Sequence, residues 1–228
     1  MRKLLSLQAL LIGAVLFLFG IGPCLSCVGT VGHTISPDTL ESQEPLFPSV
    51  AMVTNEQYLA TAWPVTDKLL FTAGHFCAHH IAMVAVGDVE DTALKIVLVK
   101  SNGMHGKAIS TKIVAVLEEP DICLLETVDH GMPPLELGSP NQLVAGDLLV
   151  VAGCPQVGPF AQTYGTVMAF EEPTLLMNLW VEPGNSGSPV LHDGQVVGMV
   201  IGYYPEARMV SYAVSGNMLS LFLILNII

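Results

Sequence analysis

Three short segments carry residue types that can do covalent chemistry together. In Glu182-Pro183-Gly184-Asn185-Ser186-Gly187-Ser188-Pro189-Val190 a serine stands between glycines. Glycine tolerates backbone conformations that hold a hydroxyl out of a tight loop, and it lets N–H groups turn toward one point. A serine hydroxyl is a weak nucleophile until a neighbouring base takes its proton, and that base must itself be oriented. Histidine suits the base role because it changes charge near neutral pH. Phe71-Thr72-Ala73-Gly74-His75 ends an apolar run in small residues and a histidine, and Pro120-Asp121-Ile122-Cys123-Leu124-Leu125 sets an acid at the mouth of another. A carboxylate there can fix the imidazole tautomer and stabilise the imidazolium. Each segment alone is ordinary, since an aspartate before a strand is usually a turn residue and Gly-Asn-Ser-Gly is common turn composition. Together His75, Asp121 and Ser186 meet all three needs of an activated hydroxyl.

The elements that must position these residues read as short strands. From residue 48 onward apolar runs recur, broken by Gly, Pro, Asn and Asp; they include residues 58–65, 68–72, 81–86, 94–99, 122–125, 163–170 and 196–203. Many are rich in Val, Ile and Leu and shorter than an ordinary helix, which predicts an all-β sandwich or barrel. His192-Asp193-Gly194-Gln195 between two runs predicts a hairpin turn, because Asp-Gly readily takes positive φ. Residues 132–147, with Pro133, Pro134, Gly138 and Pro140, look like a link between two halves, and residues 217–225 suit one short helix. The expected divisions are a leader over 1–27, a connector over 28–45, a first half over 46–131 and a second over 132–228.

Of the 228 residues 51% are hydrophobic and 12% charged, enough apolar content for a sizeable core and too much for disorder. The net charge of −12 argues against nucleic acid, which needs a basic face. Arg2 and Lys3 precede an apolar run over 4–22, then Pro23, Cys24, Ser26 and Cys27, the plan of an export leader. A cleaved signal, a lipid-modified Cys27 and an uncleaved membrane anchor all remain open, and each places the chain outside the cytoplasm, secreted or membrane-attached. Of Cys77, Cys123 and Cys154 at least one stays unpaired, and Cys123 reads as a small buried hydrophobe within its apolar run. His75-Phe76-Cys77-Ala78-His79-His80 packs four zinc-capable side chains together, but structural zinc sites draw on separated pairs. Exposed loop histidines are the expectation there, with no metal and no cofactor.

The Thr-Ala-Gly-His, Asp-Ile-x-Leu-Leu and Gly-Asn-Ser-Gly-Ser-Pro segments, in the order His, Asp, Ser, resemble the chymotrypsin-like serine peptidases. The likeness covers roughly residues 46–224 and is to the bacterial branch that includes HtrA proteases and glutamyl endopeptidases. It implies an all-β fold of two antiparallel six-stranded barrels with a short terminal helix. His75 and Asp121 would come from the first barrel and Ser186 from the second. It further implies an oxyanion hole from the N–H groups of Gly184 and Ser186, and serine endopeptidase activity on protein or peptide substrates through an acyl-enzyme. The alternative is a peptide-binding module on the same fold that does not cut.

Departures from the family pattern shape the expectations. Trypsin-type enzymes place an Asp before the nucleophile to pair with a new N-terminus; Asn185 is neutral, so the loop must be held by Gly184, Gly187 and hydrogen bonds from Asn185 itself. Val200 stands where glutamyl endopeptidases carry a histidine. Trp180, Val200 and Gly202 are the expected pocket residues, and Trp180 stands near the point where trypsins set an anionic pocket base. A neutral pocket for apolar or small side chains follows.

Overall fold

A computed structural model describes residues 47–227 apart from 101–102, 129, 157–159 and 208. The expected leader and connector lie outside the described residues. The short apolar runs form strands: β1 (Ala51–Thr54), β2 (Leu59–Pro64), β3 (Leu69–Ala73), β4 (Lys95–Val99), β5 (His105–Ser110), β6 (Lys112–Leu117) and β7 (Ile122–Glu126). They make one antiparallel sheet in the order β5-β4-β1-β2-β3-β7-β6. The second half supplies β8 (Leu148–Gly153), β9 (Ala161–Glu171), β10 (Thr174–Asn178), β11 (Pro189–His192), β12 (Gln195–Tyr203) and β13 (Val210–Ser215). These close into a barrel in the order β10-β13-β12-β11-β8-β9.

The all-β expectation and one six-stranded barrel are therefore present, and the first half differs. Its sheet has seven strands and is not closed, because β5 and β6 stand at opposite ends of the order. The extra strand, β5, is mostly exposed and polar, so no apolar run announced it. At the predicted hairpin, Asp193 and Gly194 both take positive φ, 48° and 82°.

A second difference is helical. The run over 81–86, expected as a strand, belongs to α1 (Gly74–Val86). Burial of Phe76, Cys77, His80 and Met83 follows a helical repeat, whereas Ile81 and Val86 are exposed, so the apolar run does not mark the packed face. Gly87 ends the helix at φ 81°, its N–H bonding the carbonyls of Met83 and Val84. The terminal helix α2 runs Gly216–Ile227, longer than predicted at both ends, and seats Leu219 and Phe222. Among the described residues no helix is long and apolar enough to cross a membrane.

Three apolar clusters hold the fold. One lies within the first sheet around Leu70, Phe76, Ile96 and Leu125, and one fills the barrel around Leu149, Leu175, Met177 and Val190. The third joins the halves: Trp63 and Phe71, with ring centroids 5.3 Å apart, share a cluster with Leu124, Val150, Met199 and the α2 residues Leu219 and Phe222. Each fully buried side chain of this size contributes roughly 1.5–3 kcal/mol. That shared cluster sets the halves against each other, which is what lets residues from both meet in one cleft.

Candidate active site

β3 passes straight into α1, so His75 falls in the first turn of the helix, half-exposed. Gly74 is required at this junction: a Cβ there would lie 2.7 Å from the Leu117 carbonyl oxygen and 2.8 Å from the Ile122 nitrogen. Asp121, at φ 75°, immediately precedes β7, which pairs with β3 through Ala73 and Ile122. The two side chains thus sit on neighbouring strand ends. Asp121 Oδ1 accepts from the His75 backbone N–H at 2.5 Å, and Oδ2 stands 2.8 Å from Nδ1. That contact favours the tautomer with the proton on Nδ1, leaving Nε2 free to accept another.

A disulfide joins Cys77 of α1 to Cys123 of β7, each two residues beyond a member of this pair, with Cα atoms 6.4 Å apart. This corrects the reading of Cys123 as a simple buried hydrophobe: its partner is 46 residues away and only the fold brings it near. Cys154 is the buried free thiol, and burial pushes its pKa up to about 12. The histidine cluster is also corrected. It lies on a helix, which turns His80 into the interior (1% exposed) and commits Cys77 to the disulfide, so the four side chains do not converge. His79 stays exposed with its ring edge against Tyr58, centroids 4.2 Å apart.

Ser186 is the second residue of the latter of two tight turns that meet at Asn185. The first, Glu182–Asn185, has Pro183 and then Gly184 at φ 97°, the composition of a type II turn, closed by Asn185 N–H to Glu182 O at 2.9 Å. The second is closed by Ser188 N–H to Asn185 O at 2.9 Å, with Gly187 at φ 86°. The expectation that Asn185 steadies the loop holds for its backbone, not its side chain. Every carbonyl from Pro183 to Ser186 is held, by Gln156 N (2.7 Å), Thr61 Oγ1 (2.9 Å), Ser188 N (2.9 Å) and Thr61 N (2.8 Å) in turn. The Asn185 and Gly187 N–H groups are also held, the latter by Val200 O at 2.7 Å. Among the described residues the N–H groups of Gly184 and Ser186 have no partner. Among the described residues alternate amides of the loop are therefore without a protein partner.

Ser186 and His75 line the same two clefts, with no hydrogen bond between them among the described residues. The first, about 340 Å³, is lined by Val200, Ile201 and Gly202 together with Val181, Glu182 and Pro183. Gly202 faces Tyr212 so closely that a Cβ would lie 2.5 Å from the phenol oxygen, so Tyr212 fills space that a side chain would take. Trp180 lines an adjoining cleft with Glu182 and Tyr203, and its indole donates to Glu182 Oε1 at 3.2 Å. The second shared cleft, about 420 Å³, has Tyr58, Leu59, Phe76 and His79 in its walls.

The geometry brings His75, Asp121, Gly184 and Ser186 together, with Val200 and Gly202 in the shared cleft and Trp180 beside it. Sequence reasoning missed Thr61, Tyr203 and Tyr212. Thr61 left one legible sign, a hydroxyl inside the otherwise apolar Leu59-Ala60-Thr61-Ala62-Trp63, where a buried polar group demands a partner. The tyrosines stand on β12 and β13, and it is the pairing of those strands that brings them to the cleft.

Residues 53–199 match the family described as trypsin-like peptidase domain. A "probable periplasmic serine endoprotease DegP-like" of Hahella chejuensis is 28% identical over 105 residues, 42% of this chain and 22% of that protein. A protein of the same description from Pseudomonas fulva is 27% identical over 100 residues, 40% of this chain and 21% of that one. The matched stretch thus spans about a fifth of these curated relatives. Among solved structures, the serine endoprotease from Yersinia pestis superposes with a TM-score of 0.65 at 18% identity, covering 79% of this chain and 63% of that one. The Rv3671c protease from M. tuberculosis in its active form gives 0.63 at 18% identity, with 78% and 81% covered. These likenesses speak for the fold, and the family match, over more than half the chain, speaks for descent: this chain belongs to the trypsin-like peptidase domain family.

Proposed function

We propose that the protein is an exported serine endopeptidase with Ser186 as nucleophile, His75 as general base and acid, and Asp121 as the group that orients His75. The observation that carries this is the pair of unpartnered amides, of Gly184 and Ser186, on a cleft that is also lined by His75, itself bonded to Asp121. As Ser186 Oγ attacks a peptide carbonyl, His75 Nε2 takes its proton and the carbonyl oxygen gains the charge. The N–H groups of Gly184 and Ser186 donate to that oxygen, the largest single source of rate in such sites. The C–N bond then breaks as His75 returns the proton to the leaving amine, leaving an acyl-enzyme. Water, giving a proton to His75, attacks the ester; the C–Oγ bond breaks as His75 passes that proton to Ser186 Oγ, and the carboxylic acid product leaves. The halves over 46–131 and 132–228 divide the task, the first supplying His75 and Asp121 and the second the nucleophile loop.

The apolar lining of Val181, Val200 and Ile201, with Tyr212 filling the space beside Gly202, suits apolar side chains of a substrate at the residue before the cut. Protein or peptide substrates outside the cytoplasm are the fitting class, supported by the leader-like N-terminus and by relatives described as periplasmic. Membrane attachment through the N-terminus belongs to the same proposal. A fluorophosphonate probe should label the parent protein and not Ser186→Ala, and Ser186→Ala should cut peptides about 10⁴- to 10⁶-fold more slowly at unchanged Tm. Equal cleavage by the two proteins overturns the assignment. Peptide binding by the parent, with neither cleavage nor labelling, would select the non-cutting module instead.

A further inference from the structure

We propose that Thr61 is a positioning residue that holds the oxyanion site in its working shape, doing from β2 what a buried ion pair at the position of Asn185 would otherwise do. The inference rests on the serine peptidase reading above. Asn185 is neutral and 4% exposed, so no charge on its side chain can anchor the loop. All three polar groups of Thr61 are engaged around that loop, in four hydrogen bonds. Its Oγ1–H donates to Gly184 O and the same oxygen accepts from Cys154 N–H, both at 2.9 Å. Its N–H donates to Ser186 O at 2.8 Å, and its carbonyl accepts from Thr72 Oγ1 at 2.7 Å.

The consequence is geometric. The Gly184–Asn185 peptide is held at its carbonyl by Thr61 Oγ1 and at its N–H by Glu182 O. The Ser186–Gly187 peptide is held at its carbonyl by Thr61 N–H and at its N–H by Val200 O. With these two peptide planes pinned on both sides, the Asn185–Ser186 peptide between them, which carries the Ser186 N–H, can rotate little; the Pro183–Gly184 peptide, which carries the Gly184 N–H, adjoins the first pinned plane and is held at its own carbonyl by Gln156 N–H at 2.7 Å. Thr61 and Gly187 also touch: a Cβ on Gly187 would run into Thr61 O and come within 2.7 Å of Thr72 Oγ1. Thr61 is fully buried, so the cost of breaking either bond is not met by solvent water. The side-chain arm of this clamp, Oγ1 to Gly184 O, is the part that substitution can remove while the backbone arm stays.

The test compares Thr61→Ala and Thr61→Val, which lose the hydroxyl, with Thr61→Ser, which keeps it, all in the full chain. Readouts are kcat and KM on a peptide substrate, Tm, and the Ki of a peptide aldehyde, whose adduct with Ser186 carries the oxyanion. In Thr61→Ala or Thr61→Val kcat should fall about 10- to 100-fold with KM within about threefold. The aldehyde Ki should weaken by a factor matching the fall in kcat/KM, and Thr61→Ser should recover kcat to within about threefold of the parent. If Thr61→Val does not fold, the Ala and Ser pair carries the comparison, since neither adds bulk. A folded hydroxyl-less variant with parental kcat and parental aldehyde affinity overturns the proposal, as does Thr61→Ser failing as badly as Thr61→Ala. A parent that neither cleaves peptides nor reacts with fluorophosphonate overturns the peptidase reading itself, a result separable from both.

Discussion

The two contributions to the site are held in opposite ways. On the first sheet, side chains are the fixtures: the His75–Asp121 contact, a disulfide two residues beyond each, and the packed face of α1. On the barrel side, backbone is both the fixture and the functional part. Carbonyls are tied and alternate amides left open, with glycines where positive φ or close approach forbids any other residue. The difference follows from what each side must present. A base needs one ring held in one tautomer, which a carboxylate can do. An oxyanion site needs N–H vectors, and only the peptide plane itself can aim them.

That contrast predicts where each side breaks. Asp121→Asn should have the largest effect of those that follow, a fall of about 10⁴-fold in kcat, because an amide that donates to Nδ1 selects the wrong tautomer. Fluorescence-monitored unfolding should show a folded protein, and a fall below tenfold would mean that His75 is oriented by other groups. Next is the disulfide. Closing a 46-residue separation restricts the unfolded chain, so Cys77→Ser with Cys123→Ser should cost about 4 kcal/mol of stability. Urea titration of parent and double variant measures it, and an unchanged midpoint would mean that α1 is held by packing alone.

The backbone side should break sterically. Gly187→Ala places a Cβ against Thr61 O at a φ of 86°, so roughly 3 kcal/mol or more should be lost, together with activity. Stability within 1 kcal/mol of the parent would show that the loop has room to shift. The smallest effect concerns pH. Burial lowers the pKa of His80 from its ordinary 6.5, opposed by Asp91, whose carboxylate stands 3.8 Å from Nε2. The folded state therefore binds this proton less readily than the unfolded chain. Stability should decline as pH falls from about 6.5 through the lowered value, and His80→Asn should flatten that decline. On the barrel side Cys154, with its pKa pushed to about 12, stays neutral throughout this range. A slope unchanged in His80→Asn would assign the acid sensitivity to other groups.

By itself the sequence pointed to the proposed chemistry and determined the all-β class of fold. The residues that form His75, Asp121 and Ser186 are flagged by short-range context: a strand entering a small-residue junction, an acid before an apolar run, a serine among glycines. The hairpin at Asp193-Gly194 and most strands are equally local, because φ preference and apolar runs are properties of a few neighbouring residues. Only the tertiary structure decided the rest. The Cys77–Cys123 pairing, the burial of His80 on a helix that read as a loop followed by a strand, and the open seven-stranded sheet each depend on partners tens of residues away. Thr61 is the sharpest case: it lies 123 residues from the carbonyl it holds, and no local pattern encodes that meeting. Propensity and spacing act along the chain, whereas a hydrogen bond acts wherever packing brings donor and acceptor within about 3 Å.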